Sequence, residues 1–457
     1  MSSSSSPSSS SEDENGNGTG GGSPSERRAG DFEGPSSSRR RAVNEVLPEP
    51  FVEAFAAQVA IDASHSTGRL AAAPALATVF QVCSTWRAVS RSDLLWQRLT
   101  GLIWGRTRLL RDSWHNEYVY WHRTAQNFSM RRSSHATLDF FDQIEVDDPD
   151  VNSCRCLALS DRHLACGFAD GAVRLFDLDS LAHARTFFLP PENILGPFSR
   201  AVSGIVIVDE DTRLIFATMD GDINVGIIGG PDPAPIPNRV CAGRMMEDGA
   251  LVDFTGCDRW WVGLYAGVPG QAFHIWDAIT AELVFMGGAL TDPEAVLGWH
   301  MFTEVTEFVG RVRVTNQESA LACTSSRLIV FDLRNQGMVL RDQEYRRGLV
   351  VTSVDVSEEA FVSVDRRGVG RVRRVGTMEE VCRFNVRGRG GVVGCMNRGY
   401  ALMCSGGVIR VWEAVSGEFR YNFGERIGEV NAMVANERHV AASSRDSGIH
   451  IWDFGAQ

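Results

Sequence analysis

The sequence predicts a mainly β protein: a seven-bladed β-propeller preceded by a small all-α module and a disordered N-terminal tail. Three observations predict it. Beyond about residue 150, apolar residues follow a strand period in seven units that can be laid over one another. Before them, from Val46 to Phe128, apolar residues recur at helical steps. Before those, residues 1–42 are Ser, Gly, Glu and Asp with almost no large apolar side chain.

Such a tail cannot bury enough surface to offset its ordering entropy, so disorder is expected. Arg39-Arg40-Arg41 closes it. A three-arginine run reads first as a solvated charge cluster and second as a weak nuclear-import signal.

The helical module is expected over residues 43–100. Leu47-Pro48 starts it, because proline is tolerated in a first helical turn. Phe51, Phe55 and Val59 follow at steps of four and share a face. A second helix is expected from Ala75 through Leu76, Val79, Phe80 and Cys83, with Trp86 and Arg87 at its end. Ser92 or Asp93 can cap a third helix, in which Leu95, Trp96 and Leu99 group together. Three short helices this apolar are hard to satisfy as an isolated domain. Either a partner covers some of that surface or the rest of the chain does. A helical connector is expected over 101–134, where Trp114, Tyr118, Trp121, Ala125 and Phe128 form one aromatic stripe. An acidic linker follows, with Asp142, Glu145, Asp147, Asp148 and Asp150.

The propeller is expected over 135–457. Each unit reads as strand, polar turn, strand, Gly- or Asp-bearing turn, strand. The third-strand anchors fall at Phe176, Gly226, Trp276, Phe331, Arg373, Trp412 and Trp452, and four of the strands end in an aromatic–Asp pair. A spacing of about 40 to 55 residues matches the period of WD-type blades. The last unit stops near the C-terminus without an outer strand, so Thr137 to Phe141 is expected to supply one and close the ring. No Gly-His dipeptide occurs, and a turn aspartate stands in only some units (Asp170, Asp220, Asp365, Asp446), so the hydrogen-bonded networks common in such blades should be incomplete. His163 and His439 share one turn position and read as architecture.

Composition narrows the function. A formal charge of −12 argues against binding nucleic acid over the whole surface. No run approaches a membrane span, and the N-terminus lacks the apolar core of a signal peptide. The ten cysteines are scattered, and Cys166, Cys323 and Cys404 sit inside apolar strands, so reduced, buried thiols are expected. Cys154-x-Cys156 lacks the spacing and second pair of a zinc site. No phosphate-binding loop, zinc-protease motif or nucleophile elbow occurs. A non-catalytic chain without metal or cofactor is expected. All 45 Lys and Arg residues are arginine. Coding bias explains this, and so does selection against ubiquitin acceptors.

The front stretch resembles the F-box, through Leu47-Pro48, Val82-Cys83, Trp86-Arg87 and Leu95-Trp96-x-x-Leu99. The usual acidic turn between its first two helices is replaced by the longer HSTGRLAAAPAL. The resemblance implies docking to a Skp-type adaptor and through it a cullin, with Leu47, Pro48, Phe51, Val82, Cys83, Trp86 and Trp96 inserting apolar side chains. Longer blocks, such as NEVLPEPF, GRLAAAPALATVFQVCSTWRAVSRSDLLW and GALVDFTGCDRWWVGLYAGVPGQAFHIWD, resemble a family of floral developmental regulators of flowering plants. That resemblance implies a nuclear F-box protein that receives growth-repressing transcriptional regulators as substrates. The alternative is a nuclear co-regulator scaffold without a ligase. Neither membrane nor direct nucleic-acid binding is expected. Substrate is expected at the face of inter-blade loops, where Arg200, Arg346, Arg347, Arg366 and Arg367 could meet an acidic or phosphorylated motif.

Overall fold

The first helix, α1 (Glu49–Thr67), starts directly after Pro48, with Pro50 in its first turn and Glu49 favourably placed at the positive end of the helix dipole. This is a computed structural model, and it describes residues 47–138, 153–189, 196, 198–208, 212–229, 236–288, 310–315, 318–324, 327–344, 351–387, 391–445 and 448–456. The Ser-rich tail, Arg39–Arg41, the acidic linker, Arg346, Arg347 and Asp446 lie outside the described residues.

α1 buries a stripe of small residues, Val52, Ala56, Ala57, Ala60 and Ser64. Its larger residues Phe51 and Phe55 stay 54% and 42% exposed. The expected second helix is two: α2 (Ala72–Phe80) and α3 (Ser84–Val89). Cys83 stands between them in an extended conformation, φ −161° and ψ 176°. Val82, Cys83, Ser84 and Thr85 are all weak helix formers, so the chain breaks there at little cost. The break turns Trp86 back onto Phe55, ring centroids 5.6 Å apart.

α4 (Asp93–Trp104) is capped by Ser92, whose hydroxyl accepts from the Leu95 N–H at 3.3 Å and donates to Glu53 at 2.8 Å. Gly105, at φ 64°, ends it in the left-handed conformation that glycine adopts without strain. α5 (Trp114–Ser129) carries the expected stripe, with Tyr118, Trp121, Ala125 and Phe128 all buried. Glu117 is buried too, and both its oxygens are used: Trp121 Nε1 donates at 2.7 Å and the Leu110 N–H at 3.1 Å.

Seven four-stranded antiparallel sheets follow, one more strand per blade than the three read from the sequence. The seven first strands touch one another in a closed ring and line a lumen. The seventh sheet is completed by Ser134–Leu138, which pairs with Ile449–Asp453 in the register Ser134↔Asp453 to Leu138↔Ile449. The clasp therefore includes Thr137 and Leu138 of the expected segment and begins three residues earlier; residues 139–141 of that segment lie outside the described residues. Asn238–Cys241 and Met338–Glu344 are among the outer strands, and Met245–Asp248 is a helical turn.

The anchors pack as aromatics where they are aromatic: Phe176, Trp276, Phe331, Trp412 and Trp452 are all buried. Gly226 replaces an aromatic because Phe187 of the preceding blade fills its place; a Cβ there would lie 2.6 Å from that ring. Arg373 takes the anchor of the fifth blade and donates to Gln343 at 3.2 Å, yet the sheet forms. Three of the strand-ending acids cap their own turns: Asp177 accepts from the Ser180 N–H at 2.8 Å, Asp277 from Ile279 at 2.8 Å and Asp332 from Arg334 at 2.9 Å, whereas Asp453 accepts from the Arg438 guanidinium at 2.9 and 2.8 Å. His439 is fully buried, and burial pushes its imidazole down to about 4, so it is neutral architecture. All ten cysteines are free, and Cys166, Cys323 and Cys404 are buried.

Candidate functional site

Two features of opposite chemistry stand out, one on the helices and one in the propeller. The first is an apolar groove of about 510 Å³ between α1, α2 and α3. Phe55 and Val59 form one wall, Ala75, Thr78 and Val79 the floor, and Val82 and Trp86 the other wall. Thr78 is its sole hydroxyl, and that hydroxyl already donates to Pro74 O at 3.1 Å. Phe51 continues the same stripe one turn earlier on α1. Val82 is 61% exposed. Surfaces of this kind, large side chains left open beside a well-packed interior, mark interaction sites.

The expected adaptor residues divide. Pro48, Phe51, Val82 and Cys83 are exposed and Trp86 is half-buried. Leu47, exposed, belongs to the unit that precedes Pro48. The N–H of Trp86 holds the Cys83 thiol below its ordinary pKa. Trp96 does not reach this surface. It is 6% exposed, its indole N–H donates to Ser90 O at 2.7 Å, and its ring packs against Tyr118 at 5.0 Å. Its place in the interior follows from α4 packing on α5, which turns the Leu95–Trp96–Leu99 side inward.

The helices rest on one face of the propeller. Arg69 pairs with Glu437 at 2.6 Å and Arg106 with Asp161 at 2.5 Å, and Arg106 also lies 3.9 Å over the Trp121 ring. Phe128 stacks on Phe454 at 4.2 Å and Tyr400 at 4.7 Å, and its carbonyl accepts from Tyr421 Oη at 2.6 Å. Asp161, Glu437 and Tyr400 all sit where a first strand turns into a second. The alternation of antiparallel strands then puts the second-to-third turns and the blade-to-blade connections on the opposite face. Arg366 and Arg367 lie there and are exposed. Arg200, also there, is half-buried and donates to Leu189 O, so it braces the strand end.

The lumen runs through to that face and holds charges that the sequence motifs did not mark. Asp253 accepts from the Val312 N–H at 2.7 Å and from Arg313 at 3.0 Å. Arg313 also donates to Asp355 at 3.2 Å, and Asp355 accepts from the Met396 N–H at 2.9 Å. This chain ties the third, fourth, fifth and sixth blades together. Its signal in the sequence was a charged residue inside an apolar first strand.

The fold defines a β-propeller protein with an N-terminal helical module seated on one face of the ring. No protein-family model matches the chain. A curated relative, the transcriptional regulator STERILE APETALA of Arabidopsis thaliana, is 57% identical over 435 residues, covering 93% of this chain and 96% of the relative. The chain belongs to the family of that plant transcriptional regulator. Among solved structures, U3-55K matches with a TM-score of 0.51 at 11% identity over 70% of this chain and 98% of its own, which shows the propeller fold. The designed protein Ika8 matches with a TM-score of 0.44 at 15% identity, over 66% and 96% of the two chains.

Proposed function

We propose that the chain is the substrate-receiving subunit of a Skp–cullin–F-box ubiquitin ligase, non-catalytic itself, acting in the nucleus on growth-repressing transcriptional regulators. One observation carries this reading: the open apolar groove between α1, α2 and α3, beside a packed helical core. A helix of a Skp-type adaptor laid across Phe55, Val59, Val82 and Trp86 would bury what the chain leaves exposed. The helices brace the adaptor side against one propeller face and leave the other face for substrate. Rate enhancement would then come from holding substrate near a ubiquitin-loaded enzyme.

A glutamate for Val82 puts a charge into the groove without touching the packed side of α3. The expected outcome is loss of Skp adaptor in pull-down, with an unchanged denaturation midpoint. Full adaptor recovery by a folded Val82→Glu variant would remove the F-box assignment. A second reading, a co-regulator scaffold with the helices as structure alone, is favoured by the relative's name, transcriptional regulator. It predicts that the same variant keeps every partner.

A further inference from the structure

α4 has a second face that takes no part in the core. Leu95, Trp96, Leu99, Thr100, Ile103 and Trp104 turn inward and are buried, with α4 packed on α1 and α5. On the opposite side Leu94 and Leu102 are 71% and 58% exposed, and Arg98 is exposed midway between them. Steps of four put all three on one stripe, about 12 Å long at the rise of an α-helix. Among the described residues Arg98 has neither a hydrogen bond nor an ion pair. The one acid of the helix, Asp93, is turned to α5, where it accepts from the Trp114 N–H at 3.2 Å. Beside the stripe stands Gly101, half-buried in the helix, where glycine is less stable than alanine. A Cβ there would meet only Arg106 O, at an ordinary 3.8 Å, so packing within the chain does not call for glycine.

We propose that this face docks an acidic amphipathic helix of a partner protein, crossing α4 at Gly101. Apolar residues of that helix cover Leu94 and Leu102, and an aspartate or glutamate between them pairs with Arg98. Charge selects this occupant. A second copy of the chain is disfavoured, because pairing α4 on itself about a two-fold axis sets the two Arg98 guanidinium groups together. An arriving carboxylate instead gains a charge-assisted, bidentate bond, with leucines on either side to keep water from it. Arg91, exposed one turn before Leu94, adds to the positive field and has no partner among the described residues. Gly101 leaves room beside the stripe for a second backbone to come close. The face shares no residue with the groove between α1, α2 and α3, so it stands whether or not the adaptor reading holds.

The test uses the full chain and three labelled, staple-locked helical peptides, read by fluorescence anisotropy. Each carries leucines two turns apart, with glutamate, glutamine or arginine midway between them. The glutamate peptide should bind about tenfold more tightly than the glutamine peptide, and the arginine peptide should not bind. Arg98→Glu should reverse the order, taking the arginine peptide and rejecting the glutamate one. Leu94→Gln/Leu102→Gln should abolish binding without lowering the denaturation midpoint, since both side chains are already largely in water. Gly101→Ala should raise the midpoint and weaken the glutamate peptide about tenfold. No binding by the parent chain, or an order that Arg98→Glu leaves unchanged, overturns the proposal. A Gly101→Ala variant that loses stability places the glycine in the fold and overturns the crossing. Sedimentation equilibrium reads the competing occupant: a parent chain that self-associates, with a leucine variant that does not, gives the face to a second copy and overturns the acidic helix. Adaptor pull-down separates this face from the groove. The leucine variant should recover Skp adaptor in full, and Val82→Glu should bind the glutamate peptide as the parent does. Adaptor lost from the leucine variant makes α4 part of the adaptor surface and overturns a separate site.

Discussion

α1 and α5 carry the same signal in the sequence, aromatic residues at helical spacing, and the fold treats them oppositely. In α5 the stripe Tyr118, Trp121, Phe128 is the buried face, and its one buried acid, Glu117, has both oxygens satisfied. In α1 the buried face is the neighbouring stripe of Val52, Ala56, Ala60 and Ser64, and Phe51 and Phe55 are left out. Small side chains let α1 approach the other helices closely, and close packing over a long contact outweighs the burial of two rings. Aromatic content alone therefore does not say which face of a helix is core. A large-residue face that the chain declines to bury in favour of alanines is the better mark of a docking surface.

The largest expected effect breaks the α5 side of this comparison. Phe128 is fully buried and stacks on both Phe454 and Tyr400 where the helices meet the propeller. Phe128→Ala should cost about 3–5 kcal/mol, the usual penalty for emptying a large aromatic site. Urea denaturation measures it. Limited proteolysis should show the helices becoming cleavable while the blades persist. A cost below about 1 kcal/mol would mean that α5 does not weld the module to the ring.

The middle effect probes the small-residue face. Ala60 is fully buried at the α1 contact. Ala60→Leu adds volume where the helices already touch, so it should cost about 1–3 kcal/mol through overpacking. The same denaturation curve reads it. A neutral result would show slack under α1, and the argument that alanine packing displaced the phenylalanines would fail.

How much of this was legible follows the same line. The propeller, its anchors and its clasp were readable because strand period, repeat length and the missing outer strand all point one way. The fourth strands were not, since segments such as Met338–Glu344 are exposed edge strands with no apolar–polar alternation to betray them. The α2–α3 break at Cys83 was hidden because apolar residues keep a helical step across it while backbone propensity does not. Trp96 shares a sequence motif with the candidate docking residues, yet its indole is held inside by Ser90 O. The lumen charges were overlooked for a related reason. Asp253, Arg313 and Asp355 are ordinary polar positions in a strand until ring closure brings them together.

The smallest expected effect is also the most discriminating. Phe51 is 54% exposed, so Phe51→Ala removes a ring that is still largely in water. Folding stability should change by no more than about 0.5 kcal/mol, as for surface substitutions without buried partners. A docked helix would cover that ring completely, and losing a buried aromatic anchor at an interface costs about 2 kcal/mol or more. The variant should therefore bind a Skp-type adaptor at least tenfold more weakly while melting with the parent, read by titration calorimetry and a denaturation curve on the same preparation. Phe128→Ala should show the reverse order, stability lost first and binding only as a consequence. If Phe51→Ala loses stability instead of binding, the ring is core that the isolated chain holds loosely, and the contrast between the two helices is one of degree.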